Sequence, residues 1–308
     1  MGYAATACLV EPFSSLAVIA VACASSNLLL GRLEIVQHIR LKAIFQPGRL
    51  ISHAWRRIGV GPFRLRLAFD AVERPHYAYG MYNGALLASR LGYKKLSVIE
   101  FGVAGGNGLL AMERLAREVE MEWPVEIEIY GFDMGQGLPP PADYRDLPFE
   151  YQHGEFRMDE DKLRARLSRS QLVLGNVRDT VRRFLADFGP APIGFVAIDL
   201  DFYSSTRDAL TLFDADHRYL LPRVMCYFDD IVGADWVMFN EHLGELLAIK
   251  EFNETHQHRK LAPIHQLRHK RVIERVWNDK MYALHDFQHP RYNDHIRPKP
   301  AATVKLRG

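Results

Sequence analysis

The chain has 308 residues, 48% hydrophobic and 25% charged, with 39 basic against 37 acidic residues and a formal net charge of +2. That is an ordinary globular balance, and it gives no electrostatic reason to expect nucleic acid as a partner. The three cysteines, Cys8, Cys23 and Cys226, are too few and too scattered for a disulfide framework, so a reducing, cytoplasmic setting is the simpler reading.

Near the N-terminus, Ser14 to Leu30 reads SSLAVIAVACASSNLLL. Its apolar core is short, Ser25, Ser26 and Asn27 interrupt it, and no Lys or Arg occurs before Arg32. A bilayer span needs about 20 predominantly apolar residues, and a signal peptide needs a positive start. The expectation is a packed or loose N-terminal helix without stable membrane association, with a cryptic export signal or membrane anchor as the alternative. Residues 1–74 read as an accessory helical segment. Pro75 to Tyr93 reads as a helix, and Tyr77, Tyr79 and Tyr82 on it either cover a cofactor or pack in the core.

Leu96 to Ala111 reads LSVIEFGVAGGNGLLA. An apolar β-branched run is followed by Gly102, Gly105, Gly106 and Gly108, and then by a helical pattern with Asn107 as its candidate cap. Strand, glycine turn and helix open a nucleotide-binding βαβ unit, because glycine lets backbone approach a ligand and helix-start amides favour an electron-rich one. Gly106, Gly108 and Ala111 also fit the dinucleotide pattern. Counted from a strand end near Phe101, however, the turn glycine is Gly102 and that pattern fails. Glu100 closes the strand, so the segment reads E-x-G-x-x-G-G-x-G. This resembles motif I of class I S-adenosylmethionine-dependent methyltransferases. The resemblance implies that the acid serves the methionine ammonium and that the glycines pass beneath the methionine.

Val125 to Asp133 alternates as a strand and ends in Asp133, 25 residues beyond Gly108, where an acid is the natural partner of a ribose diol. Met134 to Gly154 is a Gly- and Pro-rich loop of the length expected for a substrate-contacting lid. A helix over 159–168 and a third strand, Gln171 to Leu174, follow. The resemblance to class I methyltransferases implies that Gly175, Asn176 and Val177, which follow, lie beside the adenine. Asn176 is equally a base ligand or a turn residue.

Phe195 to Asp201, FVAIDLD, reads as a central strand whose end carries Asp199 and Asp201 on one face. Arg223 to Phe228 reads as the fifth strand, followed by Asp229 and Asp230. Both strands end on the ligand side of a doubly wound sheet, so the four carboxylates converge. They repel one another unless a cation, protons or donors compensate, and an all-oxygen set suits Mg²⁺. Helix caps are the alternative for any one of them.

EFGVAGGNG, GFD, DLDFYSST and YFDD, in that order, resemble the macrocin-type sugar O-methyltransferases and their relatives over residues 75–250. The resemblance implies a class I α/β fold, a mostly parallel seven-stranded sheet with helices on both faces and an antiparallel last strand. It implies S-adenosyl-L-methionine bound by Glu100, Gly102, Gly105, Gly106, Gly108, Asp133, Asn176 and Val177. It also implies a divalent metal on Asp201, Asp229 and Asp230, with Asp199 or Asp201 assisting deprotonation of an acceptor hydroxyl. The catalytic domain is read as 75–289 and the basic tail as 290–308. The loop after Asp133 and the His-rich part near His256, His258, His265 and His269 depart from the family, so the small-molecule acceptor does not carry over. The histidines read as surface or structural. An NAD-dependent oxidoreductase and a non-catalytic nucleotide-binding protein are the alternatives. A homo-oligomer is compatible with all three.

Overall fold

The computed structural model describes residues 47–297; the expectations for residues 1–46, and for the part of the basic tail at 298–308, lie outside the described residues. The chain divides into two compact units, 1–50 and 51–308. Of the first, only residues 47–50 are described, and they open helix α1, Pro47–Ile58. Among the described residues, no helix is long and apolar enough to cross a membrane.

Seven strands form one sheet in the order β3-β2-β1-β4-β5-β7-β6. They are β1 Lys95–Phe101, β2 Glu126–Asp133, β3 Gln171–Leu174, β4 Ile193–Ile198, β5 Leu220–Phe228, β6 Arg259–Pro263 and β7 Met281–Asp286. β1 to β5 pair in parallel and β7 runs antiparallel to β5 and β6. This is the sheet of the class I methyltransferase fold, as the motifs imply.

Strand periodicity explains why both faces are buried. In β1, Val98 joins one apolar cluster while Ile99 and Phe101 join the other. In β2, Ile127 and Ile129 face one way and Tyr130 and Phe132 the other. In β4, Phe195 and Ala197 oppose Val196 and Ile198. Helices α2 Phe63–Ala68, α3 Pro75–Arg90 and α4 Asn107–Glu122 supply the first cluster. Helices α6 Val177–Phe188, α7 Tyr203–Leu210 and α8 Gly244–Thr255 supply the second. Short helices α5 Glu160–Arg164 and α9 Leu267–Lys270 complete the set.

Two local readings change. β4 ends at Ile198, so Asp199 and Asp201 stand in the following loop rather than on one strand face, and Asp201 adopts a left-handed conformation, φ 60°. The residue capping α4 is Gly106, and Asn107 is the first helical residue. Residues just beyond 289 are also tied to the sheet: the Tyr292 carbonyl accepts from Arg223 at 3.2 Å.

Candidate active site

The loop after β1 is drawn against the loop after β4. Gly102 has φ +85°, and a Cβ there would lie 1.7 Å from the Asp199 carbonyl oxygen. Asp199 N donates to the Phe101 carbonyl at 3.0 Å, and Gly102 N to the Phe132 carbonyl at 2.9 Å. The glycine therefore lets three strand ends meet.

Asp133 holds this loop from the side. Its Oδ2 accepts from Val103 N at 2.9 Å and Ala104 N at 2.8 Å, and its Oδ1 from Gly135 N at 2.6 Å. The acid thus organises the turn it was expected to serve, and Oδ1 keeps acceptor capacity toward the cavity beside it. That cavity, about 220 Å³, is lined by Gly102, Ala104, Asp133, Asn176, Val177, Asp199 and Asp201, among others. Phe101, Phe132, Met134, Leu138 and Phe156 make its apolar walls. Asn176 accepts from Arg178 N at 3.0 Å through its side chain, capping α6, so its Oδ1 already has a helix partner.

Glu100 is buried beneath the glycine turn and does not line this cavity. Its Oε1 accepts from the fully buried Tyr77 hydroxyl at 2.7 Å, and its Oε2 has no hydrogen-bond partner among the described residues. A Cβ on Gly108 would sit 1.7 Å from that Oε1, which is why the helix start accommodates the acid only with glycine. Gly105 faces open space, and Gly106 turns in a left-handed conformation against Leu163. Of the tyrosines on α3, Tyr79 packs on Trp277 and Tyr82 on Trp123 and Phe63; none of the three lines the cavity.

Burial pushes the Glu100 carboxyl from 4.5 up to about 7. A carboxyl with a raised folded pKa binds its proton more tightly in the native state, so stability falls as pH rises from 4.5 to about 7 and stays lower above it. The contribution is on the order of 3 kcal/mol. Glu100→Gln stays neutral. Its stability relative to wild type is therefore expected to rise by about that amount between pH 5 and pH 7.5, read from urea midpoints. A difference independent of pH would show Glu100 already ionised at acid pH.

Asp199, Asp229 and Asp230 each bring one oxygen within 4.8 Å of the others. Asp201 does not join that set directly: its backbone N donates to Asp230 Oδ2 at 2.9 Å, which turns its side chain toward Tyr151. Burial and the Asp230 charge drive Asp199 well above the carboxylate range, and the same two causes lift Asp201 to about 8. Burial and Asp229 lift Asp230 to about 6. Burial also opposes the charge on Asp229, but the Lys280 ammonium and the Tyr227 hydroxyl, 2.5 Å away, outweigh it and lower its pKa. Asp199 and Asp230, with raised pKa values, crowd the ionised Asp229 in a repulsive set that a hard divalent cation relieves.

Sequence reasoning missed the residues around this set. Tyr151, from the long loop, donates to Asp230 Oδ1 at 3.4 Å. Lys280 bonds both the Asp229 carbonyl and its side chain. Glu245, fully buried on α8, accepts from Asp230 N at 3.0 Å. His76 stacks on Tyr227 at 4.4 Å. Only Tyr227 carried a signal, since it lies two strand positions before Asp229. Among the histidines of the C-terminal part, His256 bonds Asp214 at 2.7 Å and stacks on Phe252, a structural role.

No protein-family model matches the chain, and no curated protein matches it. Among solved structures, CalS11, a calicheamicin methyltransferase, matches with 23% identity over 68% of this chain and 76% of that one, at a TM-score of 0.48. An apo structure of CalS11, described as a TDP-rhamnose 3'-O-methyltransferase, matches with 22% identity over the same shares, at a TM-score of 0.40. The O-methyltransferase TomG from Streptomyces achromogenes, in complex with SAM, matches with 15% identity over 70% and 80%, at a TM-score of 0.39. Likenesses this distant assign the chain no activity. The class I methyltransferase fold rests on the strand order itself.

Proposed function

We propose that the chain is an S-adenosylmethionine-dependent methyltransferase that transfers methyl to a hydroxyl oxygen of a small molecule, with help from a divalent cation such as Mg²⁺. The observation that carries this reading is the adjacency of two features. The cavity beside Asp133 and the glycine turn and the Asp199, Asp229 and Asp230 cluster share the loop after β4, so a ligand along the turn meets the carboxylates.

When bound, S-adenosylmethionine supplies an activated methyl group, and the protein's task is to align acceptor and donor and exclude water. Asp133 would accept from the ribose hydroxyls with its remaining Oδ1 capacity, and the amide end of α6 near Asn176 and Val177 would flank the base. The residues fit a hard cation: Asp199, Asp229 and Asp230 are acceptor-only oxygen ligands once ionised. When bound, such a cation would orient the acceptor hydroxyl and lower its pKa. In this arrangement Asp199 takes the ligand role and Asp201, beside it on the cavity wall, takes the proton. Glu245 and Lys280 position the ligands.

Asp133→Ala removes the acceptor of three backbone amides as well as the ribose contact. A charge-assisted hydrogen bond is worth roughly 1.5–3 kcal/mol, so affinity for S-adenosylhomocysteine is expected to fall by at least about tenfold, measured by calorimetry. Unchanged affinity in a folded variant would remove Asp133 from the cofactor site. The overall reaction is tested by incubating the protein with methyl-labelled S-adenosylmethionine, Mg²⁺ and a panel of hydroxylated metabolites. Label in an ether product, lost on chelation, supports the reading, and label on nitrogen or carbon contradicts it. The NAD alternative is disfavoured by the antiparallel β7, because a dinucleotide fold needs a second parallel mononucleotide half.

A further inference from the structure

A second opening lies on the sheet face away from α8. Along β5, Arg223 and Met225 share one face, and their partners His285 and Ala283 on β7 lie directly opposite. Ala262 of β6 pairs with Ala283 and extends that face. On the other face Val224, Cys226, Leu261 and Leu284 are buried together with Ala248, Ile249 and Phe252 of α8. Among the described residues, the near face is covered by α3, whose Leu86, Leu87 and Arg90 form the facing wall, with Ile264, His265, Ile296 and Arg297 also lining the opening. Small residues at 262 and 283 leave a groove of about 650 Å³ between them. That volume lies within the range of small-molecule sites, roughly 300–1,000 Å³.

The groove is apolar along its length. Arg90, Arg223 and Arg297 line it together with His265 and His285, and among the described residues no Asp or Glu does. Arg223 is the informative one. Its Nη1 donates to the Tyr292 carbonyl and its guanidinium lies 5.1 Å from the Tyr292 ring centroid, whereas its Nη2 is buried with no hydrogen-bond partner among the described residues. A buried cation whose donors are not all satisfied is costly, so an anionic headgroup held beside the guanidinium compensates its charge. Apolar walls around it favour an aliphatic body on the same ligand.

We propose that this groove binds an aliphatic carboxylate, its chain between α3 and the β5-β7-β6 face and its headgroup on Arg223. The site is separate from the cavity beside Asp133 and the glycine turn and shares no lining residue with it.

The test is calorimetric titration of the full-length protein with decanoate, decyltrimethylammonium and acetate, each below its aggregation concentration. Decanoate is expected to bind at least tenfold more tightly than either of the others, because only it carries both chain and negative charge. Arg223→Gln is expected to lower decanoate affinity at least tenfold. Leu86→Trp, which fills the groove from the α3 side, is expected to abolish binding while leaving the thermal midpoint near that of wild type. If Arg223→Gln does not fold, Leu86→Trp decides alone. Equal binding of the anionic and cationic amphiphiles would overturn the proposal, as would decanoate binding that survives Leu86→Trp. So would the absence of decanoate binding in a protein that elutes as a dimer and becomes monomeric on Leu86→Trp, because a second copy would then be the occupant.

Discussion

Asp229→Asn is expected to abolish tight binding of a divalent cation and, with it, methyl transfer. Asp229 is the one carboxylate of the cluster whose pKa is lowered, because Lys280 and Tyr227 hold it ionised. It is therefore the group that presents a permanent negative charge for a cation to find. Asparagine keeps the shape and removes that charge, leaving Asp199 and Asp230, both of which favour their protons. Mn²⁺ affinity, followed by water-proton relaxation, should fall at least about a hundredfold, since even outer-sphere partners are worth about 10–100-fold. Turnover should fall on the order of a thousandfold, the several kcal/mol that a polarising cation contributes. Binding of S-adenosylhomocysteine should change little, because Asp229 does not line the cavity that Asp133 and Gly102 border. Chelation should reproduce the variant, and added Mg²⁺ should restore wild type but not the variant. Full turnover in Asp229→Asn under chelation would make the carboxylates structural.

Gly102→Ala is expected to be among the most destabilising single substitutions in the chain. The backbone there is left-handed, φ +85°, which costs alanine roughly 1–2 kcal/mol. The added methyl would also meet the Asp199 carbonyl oxygen at 1.7 Å, and backbone cannot swing aside as a long side chain can. Overpacking of this kind costs typically 1–3 kcal/mol more. A total of roughly 3 kcal/mol or more corresponds to a thermal midpoint lowered by about 6–12 °C for a chain of this size. Because relief requires Asp199 to move, a variant that does fold should also bind Mn²⁺ more weakly. A midpoint within about 2 °C of wild type would mean that the loops after β1 and β4 are not held as tightly as the geometry indicates. By contrast, Gly105→Ala, which meets nothing within 4 Å, is expected to be nearly neutral in stability.

The sheet was legible because parallel strands buried on both faces leave long apolar runs, and because glycines and acids punctuate their ends. VIEF, EIEIYGFD and FVAI could be placed within a few residues. β6 was not legible: RKLAP has one buried residue, Leu261, and is a strand because β7 pairs with it. The carboxylates were legible as a group, but their division of roles was not. Alternation placed Asp199 and Asp201 on one strand face, whereas β4 stops at Ile198 and the left-handed Asp201 lies in the following loop with Tyr151 as a partner. Asp133 carried a second function that no spacing could reveal, as the acceptor for the amides of Val103 and Ala104. Lys280, Glu245 and Tyr151 reach the cluster from elements remote in sequence, and single lysines, glutamates and tyrosines have no local pattern that announces such a role. Tyr77 was readable only as one tyrosine of a helix, until its hydroxyl was found on Glu100.

The most direct measurement of the central claim is a calorimetric comparison of S-adenosylmethionine, S-adenosylhomocysteine and NAD titrated into the full-length protein, with and without Mg²⁺. The account predicts binding of both sulfur nucleotides at one site per chain, weakened at least about tenfold by Asp133→Ala, and no competing binding of NAD. Preferential binding of NAD, or no binding of either sulfur nucleotide to the folded protein, would contradict it.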